Sequence, residues 1–379
     1  MRKGKRSPMV SGALHPETAA GGLLPLLEAA AWSAGLPGAG RLAALAEARG
    51  FYRSTLFQQW EILHALLAEH AAEASAPQDV LRALFDAADP RVRFFVPGAW
   101  SRLAADGEPG AALAQLRAWA KGADALLADS LPAFGVRPWA ERLGPDAVAL
   151  LLPWAADPDP EVRRAAVVAL RPRGAWVPHL SWAAETPSLL VPFLDALRAE
   201  PDPRVAGALG NALNDVGHAS PQLVLALLHR WREEEPGPQL GTIARRGLRG
   251  LLKAGDARAL QALGLSELRV EASAVLRGPA EIVPNSGLVF DLEVRNLGDA
   301  GSAHLVYEIE TPGKLAGRPR RQRVQAGTYW LPARDRVRLI VRERVFDRKA
   351  APVLDGPGLA RFFLNGAECA QAPFRIRRG

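Results

Sequence analysis

Cysteine is almost absent from this chain: Cys369 is the only one in 379 residues. That excludes an intrachain disulfide and every metal site built from several thiolates, and it fits a reducing compartment. No stretch approaches the roughly 18 consecutive apolar residues of a membrane span. The basic start Met1-Arg-Lys-Gly-Lys-Arg6 is followed by Ser7-Pro8-Met9-Val10, not by an apolar core, and Glu28 interrupts the later run Leu23–Trp32. Neither reads as an export signal. The histidines (His15, His64, His70, His179, His218, His229 and His304) are scattered without metal-ligand spacing. Phosphate-loop and dinucleotide fingerprints are missing too. No metal, cofactor or membrane partner is implied, and a cytoplasmic setting is expected.

What the chain does have is a core-forming composition and a basic balance. Hydrophobic residues make up 49%, enough for buried cores, and the formal net charge is +7. A polyanionic partner follows weakly from that charge alone. Its distribution is more informative. From Ser266 onward there are 19 Lys+Arg against 13 Asp+Glu, which leaves 28 against 27 for everything before it. The first part can attract an anion only by collecting its arginines on one face.

A short pattern occurs twice. Asp159-Pro-Glu-Val162-Arg-Arg-Ala-Ala-Val-Val-Ala-Leu170 is echoed by Asp202-Pro-Arg-Val205-Ala-Gly-Ala-Leu-Gly-Asn-Ala-Leu213, with 43 residues between the two valines. HEAT and armadillo repeats recur every 40–47 residues or so. Proline suits the first helical turn and the preceding carboxylate suits the positive end of the dipole. Stacked helix pairs of this kind form a curved ribbon with a concave face. Helical spacing begins near Arg41 and is cut by Pro77, Asp89-Pro90, Gly107–Gly110 and Gly144-Pro145, giving about six hairpins. Residues 1–37, rich in Gly, Pro and Ala, are expected to be loose. Residues 38–264 form the expected repeat region.

Near Leu263 the period changes from helical to alternating. Leu268–Val275, Leu288–Val294, Ala303–Ile309 and Val337–Val345 read as half-buried strands between Asn-, Gly- and Pro-containing turns. The expected fold class is mainly α: a HEAT-like helical-repeat solenoid with a C-terminal all-β sandwich of immunoglobulin type over 265–379.

Several segments carry a more specific likeness. They are Phe134-Gly-Val-Arg-Pro138, Val162-Arg-Arg164 through Arg171-Pro-Arg173 to Trp176, Asn211-Ala-Leu-Asn-Asp215 with Ser220–Trp231, and Arg246-Gly-Leu-Arg249. Together they resemble the AlkC-type alkylpurine DNA glycosylases, over about Leu131 to Gly264. Leu331-Pro-Ala-Arg334 and Leu364-Asn-Gly366 resemble the immunoglobulin-like domain that one subgroup carries. The resemblance implies a monomer associated with the nucleoid that grips double-stranded, alkylated DNA and hydrolyses the glycosidic bond of N3-alkylated bases. Such bases are cationic and already good leaving groups. What remains is to stabilise the oxocarbenium-like sugar with a carboxylate and to orient water. A carboxylate about 4 Å away contributes on the order of 4 kcal/mol at an effective dielectric of about 20. An aromatic ring beside the cationic base adds cation–π attraction.

The chain departs from that pattern where it matters. The family's Glu before the Phe segment is Ala133 here, and its Glu in the segment ending Arg-Pro-Arg is Val168. Trp176 and Asp215 are kept and are the catalytic candidates. Val205-Ala206-Gly207 lacks the two arginines that usually follow that valine. The candidate phosphate contacts are Arg137, Arg164, Arg171, Arg173, Arg245, Arg246, Arg249 and Lys253, with Lys314, Arg318, Arg320 and Arg321 in a basic hairpin or strand edge of the second region. Each has a plainer reading. Trp176 can cap the core, Asp215 can pair with Arg246 or Arg249, and edge charges can merely oppose aggregation. Three functions stand: a glycosylase using Asp215 and a recruited acid such as Glu141 or Glu185, a DNA-binding relative that does not cut, and a protein-binding scaffold. DNA binding is the expectation, with base excision as its leading activity.

Overall fold

The computed structural model describes residues 22–86, 89–174, 177–234, 236–313, 319–347 and 352–378. Contacts divide the chain into two compact units, Met1–Leu223 with Trp231–Gly247, and Val224–Arg230 with Leu248–Gly379. The first is helical. The second holds all the strands.

Six helices frame the helical unit: α1 (Leu23–Ser33), α2 (Leu56–Ala72), α3 (Val96–Leu103), α4 (Pro160–Leu170), α5 (Pro203–Ala219) and α6 (Leu240–Gly247). The repeated Asp-Pro opens α4 and α5 in the same way. Asp159 accepts from the Glu161 N–H at 2.8 Å, and Asp202 accepts from the N–H groups of Arg204 at 2.8 Å and Val205 at 3.2 Å. Pro160 and Pro203 occupy the first turn, where no N–H is missed. Each cap is worth about 1 kcal/mol. Val162 and Val205 are both fully buried, as their shared register requires.

Charged pairs link neighbouring helical segments. Arg163 forks onto Glu200 with two contacts of 2.8 Å, and Arg117 donates to Asp157 at 2.7 Å. Both carboxylates are almost wholly buried, so these are planar, charge-assisted pairs in low dielectric. Before α4, Leu131–Val136 forms a wide π-type turn that brings Ala133 and Phe134 together. Phe134 packs at 5.7 Å from Trp60 of α2 and 5.9 Å from Phe94, an aromatic core under that turn.

Two expectations change. Residues 23–33, read as loose, are helix α1, which buries Leu23, Leu24, Leu27 and Ala31 at spacings of three and four. Flanking glycines and prolines masked a sound apolar stripe. Residues 1–21 lie outside the described residues. Residues 248–264, read as the end of the repeats, group with the strands. The contact surface explains this: a Cβ on Gly366 would meet Leu260 at 3.1 Å.

The β unit contains two sheets. One has the order β1 (Val270–Leu276), β3 (Gly287–Asn296), β6 (Arg336–Arg344). The other runs β2 (Glu281–Ile282), β8 (Ala367–Ile376), β7 (Gly356–Leu364), β4 (Gly301–Thr311), β5 (Arg320–Leu331). Pairings are antiparallel apart from the short β2–β8 contact. Alternate residues such as Phe290, Leu292, Leu305, Phe362 and Leu364 enclose one apolar core. Within it the Tyr307 hydroxyl of β4 donates to Glu343 of β6 at 2.6 Å, joining one sheet to the other. Burial, and then the Glu343 carboxylate, push the Tyr307 hydroxyl far above its usual value.

Candidate functional site

Glu161, Arg164 and Val168 are three and four residues apart on one face of α4, and Arg171 caps its C-terminal end. All four line a cavity of about 690 Å3 in the helical unit. Ala133 of the wide turn, Ala208 and Asn211 of α5, and Arg246 of α6 complete much of its wall. The lining includes six guanidinium groups (Arg137, Arg164, Arg171, Arg173, Arg204, Arg246) and two carboxylates, Asp129 and Glu161.

Four of the six arginines are engaged by the protein itself. Arg137 is buried and donates to the carbonyls of Pro178 (3.0 and 2.7 Å), Arg171 (2.8 Å) and Ala169 (3.2 Å). Burial lowers its pKa to about 10, and the nearby Arg171 charge acts in the same direction. It serves as a strut for the chain after α4, with its donors turned to three backbone carbonyls. Arg164 bonds to the Ala128 carbonyl and to Asp129 at 3.0 Å. Arg204 pairs with Glu161. Arg171 donates to Asp215 at 2.8 Å.

The last pair settles how Asp215 is compensated. Asp215 lies in the final turns of α5, against the dipole, and is buried. Its partner is Arg171, not Arg246 or Arg249. The carboxylate therefore reaches the cavity only through the arginine it neutralises.

Arg173 and Arg246 are different. Both are exposed, and neither has an ion pair among the described residues. Arg246 crosses α5 where glycines stand: a Cβ on Gly207 would collide with its guanidinium nitrogen, and one on Gly210 would come 2.6 Å from its Cβ. Those contacts exclude any ordinary side chain at 207 or 210 without displacing Arg246. The missing arginine at 207 is thus matched by one arriving from α6.

Among the described residues, the other expected positions do not line this cavity. Trp176, Lys314 and Arg318 lie outside the described residues. Arg245 is exposed on α6, and Arg249 and Lys253 are exposed in the second unit. Arg320 of β5 donates to the Phe346 carbonyl at 2.9 Å, and Arg321 pairs with Glu310 at 2.9 Å. Glu141 lines a neighbouring cavity of about 510 Å3, and Glu185 is exposed and borders neither. Sequence reasoning passed over Glu161, Arg204 and Asp129. For Glu161 a signal existed, since it precedes Arg164 and Val168 by one and two turns on the same face. Among the described residues no group of three His, Cys, Asp or Glu could hold a metal ion, and no helix is long and apolar enough to cross a membrane.

Comparison with known proteins adds three findings. The family model "DNA alkylation repair enzyme" matches residues 55–244. The alkylpurine DNA glycosylase AlkC of Pseudomonas fluorescens, in a structure bound to DNA containing an abasic-site analogue, is 21% identical with a TM-score of 0.79. That likeness, one of fold, covers 93% of this chain and 97% of that one. The uncharacterized protein YhaZ of Bacillus subtilis is 27% identical over 178 residues, 47% of this chain. The match covers 49% of that relative, so the chain spans about half the length of the curated protein it matches.

Proposed function

Since the chain belongs to the DNA alkylation repair enzyme family, we propose that it binds duplex DNA and that the arginine-lined cavity of its helical unit is the contact surface. In this reading the helical unit is a HEAT-like ribbon and the β unit an immunoglobulin-like sandwich that supplies further basic contacts. The observation that carries it is a cavity wall with six guanidiniums against two carboxylates, two of the six (Arg173 and Arg246) without an ion pair among the described residues, in a part of the chain whose overall charge is nearly balanced. Such an arrangement neutralises phosphates and releases their counterions. The Pseudomonas protein's DNA-bound state supports the same class of partner.

Catalysis has weaker support. Excising a cationic base calls for carboxylates facing the reacting sugar, and the cavity presents Ala133 and Val168 where the family pattern has glutamates. Asp215 is kept but is already paired with Arg171. One observation favours residual excision: Glu161 is buried on the cavity wall with one carboxylate oxygen lacking a hydrogen-bond partner. A noncutting DNA-binding member is the better-supported reading.

Duplex affinity measured at rising salt tests the binding. Log K should fall linearly with log salt, with a slope set by the phosphates neutralised, and a flat response would remove DNA as the partner. Single-turnover base release from methylated duplex, compared with Asp215→Asn, tests the chemistry. Release that collapses in the variant would establish a glycosylase.

A further inference from the structure

The cavity's charge is the wrong sign for a cationic base and the right sign for something else. Four of its six guanidiniums are neutralised or engaged internally, and the two that are not, Arg173 and Arg246, come from separate segments on its wall. Two such groups fit a ligand with several anionic acceptor oxygens, which a guanidinium grips in fork geometry. Ala133 and Val168 offer apolar surface beside them.

A phosphodiester within an unbroken strand carries a sugar on both ester oxygens and leaves two oxygens free on the outside of the helix. A terminal phosphomonoester is tied by one bond only, presents three oxygens, and approaches a charge of −2 at neutral pH. It alone can enter a recess end-on, and about 690 Å3 leaves room for its sugar. We propose that this cavity receives the phosphomonoester at a DNA strand break, held between Arg173 and Arg246, with Ala133 and Val168 against the attached sugar. The inference rests on the DNA-binding reading and narrows it to a class of DNA feature.

The test uses the full chain and duplexes whose ends are closed by hairpins. One duplex is intact, one has a nick bearing only hydroxyls, one a 5′-phosphate nick and one a 3′-phosphate nick. Affinity is read by fluorescence anisotropy at one fixed salt concentration. One of the phosphorylated nicks should bind about tenfold more tightly than the hydroxyl nick, as one charge-assisted pair is worth. That ratio should fall to near one in Arg173→Ala and in Arg246→Ala, whatever those changes do to intact duplex. Ala133→Glu, which puts a carboxylate on the cavity wall, should lower the ratio too, while Arg49→Ala, at an exposed arginine paired with Glu69 away from the cavity, should preserve it. Equal binding of all three nicks, or a preference that survives loss of both arginines, would overturn the inference and leave duplex binding standing. Failure to bind even the intact duplex would sink the DNA-binding reading along with it.

Discussion

Helices α4 and α5 open alike and then part company. Both begin with a capping aspartate, a proline and a fully buried valine. After the valine, α4 carries Arg163 and Arg164, each tied to a carboxylate of its surroundings. At the same two places α5 carries Ala206 and Gly207, and an arginine from α6 lies over the glycine, without an ion pair among the described residues. The lesson is that similar cations in one wall have separate duties. Some tie neighbouring helical segments together, and others have no ion pair among the described residues.

The sharpest way to break that division is Arg137→Ala. Removing a buried guanidinium that serves three carbonyls should cost about 3 kcal/mol in urea denaturation. A variant of wild-type stability would mean that Arg137 is not part of the frame. Arg246→Ala should do the opposite, with stability unchanged and duplex affinity about tenfold weaker at low salt. The salt slope should also fall by about one, and an unaltered slope would return Arg246 to the category of idle surface charge. Asp202→Ala should cost about 1 kcal/mol through its cap. Burial alone would raise the Asp202 carboxyl, but the Arg204 and Val205 N–H groups and the Arg204 charge hold it below the usual range. Its contribution is therefore complete at neutral pH and is lost only as pH falls below about 4. A wild-type minus variant difference that did not shrink at all between pH 5 and pH 2 would contradict that assignment. The smallest effect belongs to Arg321→Ala, at most about 0.5 kcal/mol, because Arg321 is solvated and Glu310 keeps Arg361 as a second partner.

The frame was legible because it depends on local rules. Asp-Pro openings, a valine recurring after 43 residues and alternating strands such as Leu288–Val294 are written in contiguous residues. Helix α1 escaped because glycine and proline around it dominated an apolar stripe that only tertiary packing confirms. Strands β7 and β8 were passed over for a related reason, since Gly356-Pro-Gly358 reads as a turn and Pro373 as a strand breaker, yet both pair in register. The site was less legible. Arg171 and Arg173 were legible as a pair flanking Pro172 outside a helix, but which arginine meets Asp215 depends on how neighbouring helices pack. The choice of Arg171 over Arg246 is set by the packing of α4 against α5, and no spacing along the chain encodes it.

Gly207 has an evolutionary consequence. Glycine and arginine codons differ by a single nucleotide, so an arginine after the second valine is always one mutation away. In this chain that mutation would drive a side chain into the space Arg246 occupies. The reverse loss, of Arg246 alone, would leave the glycine with nothing to accommodate. The contact at 207 is with the end of a flexible guanidinium side chain, so an arginine there would displace Arg246 from its place on the cavity wall. The double variant Gly207→Arg with Arg246→Gly, which keeps one guanidinium at this wall, should bind duplex DNA more tightly than Arg246→Gly alone.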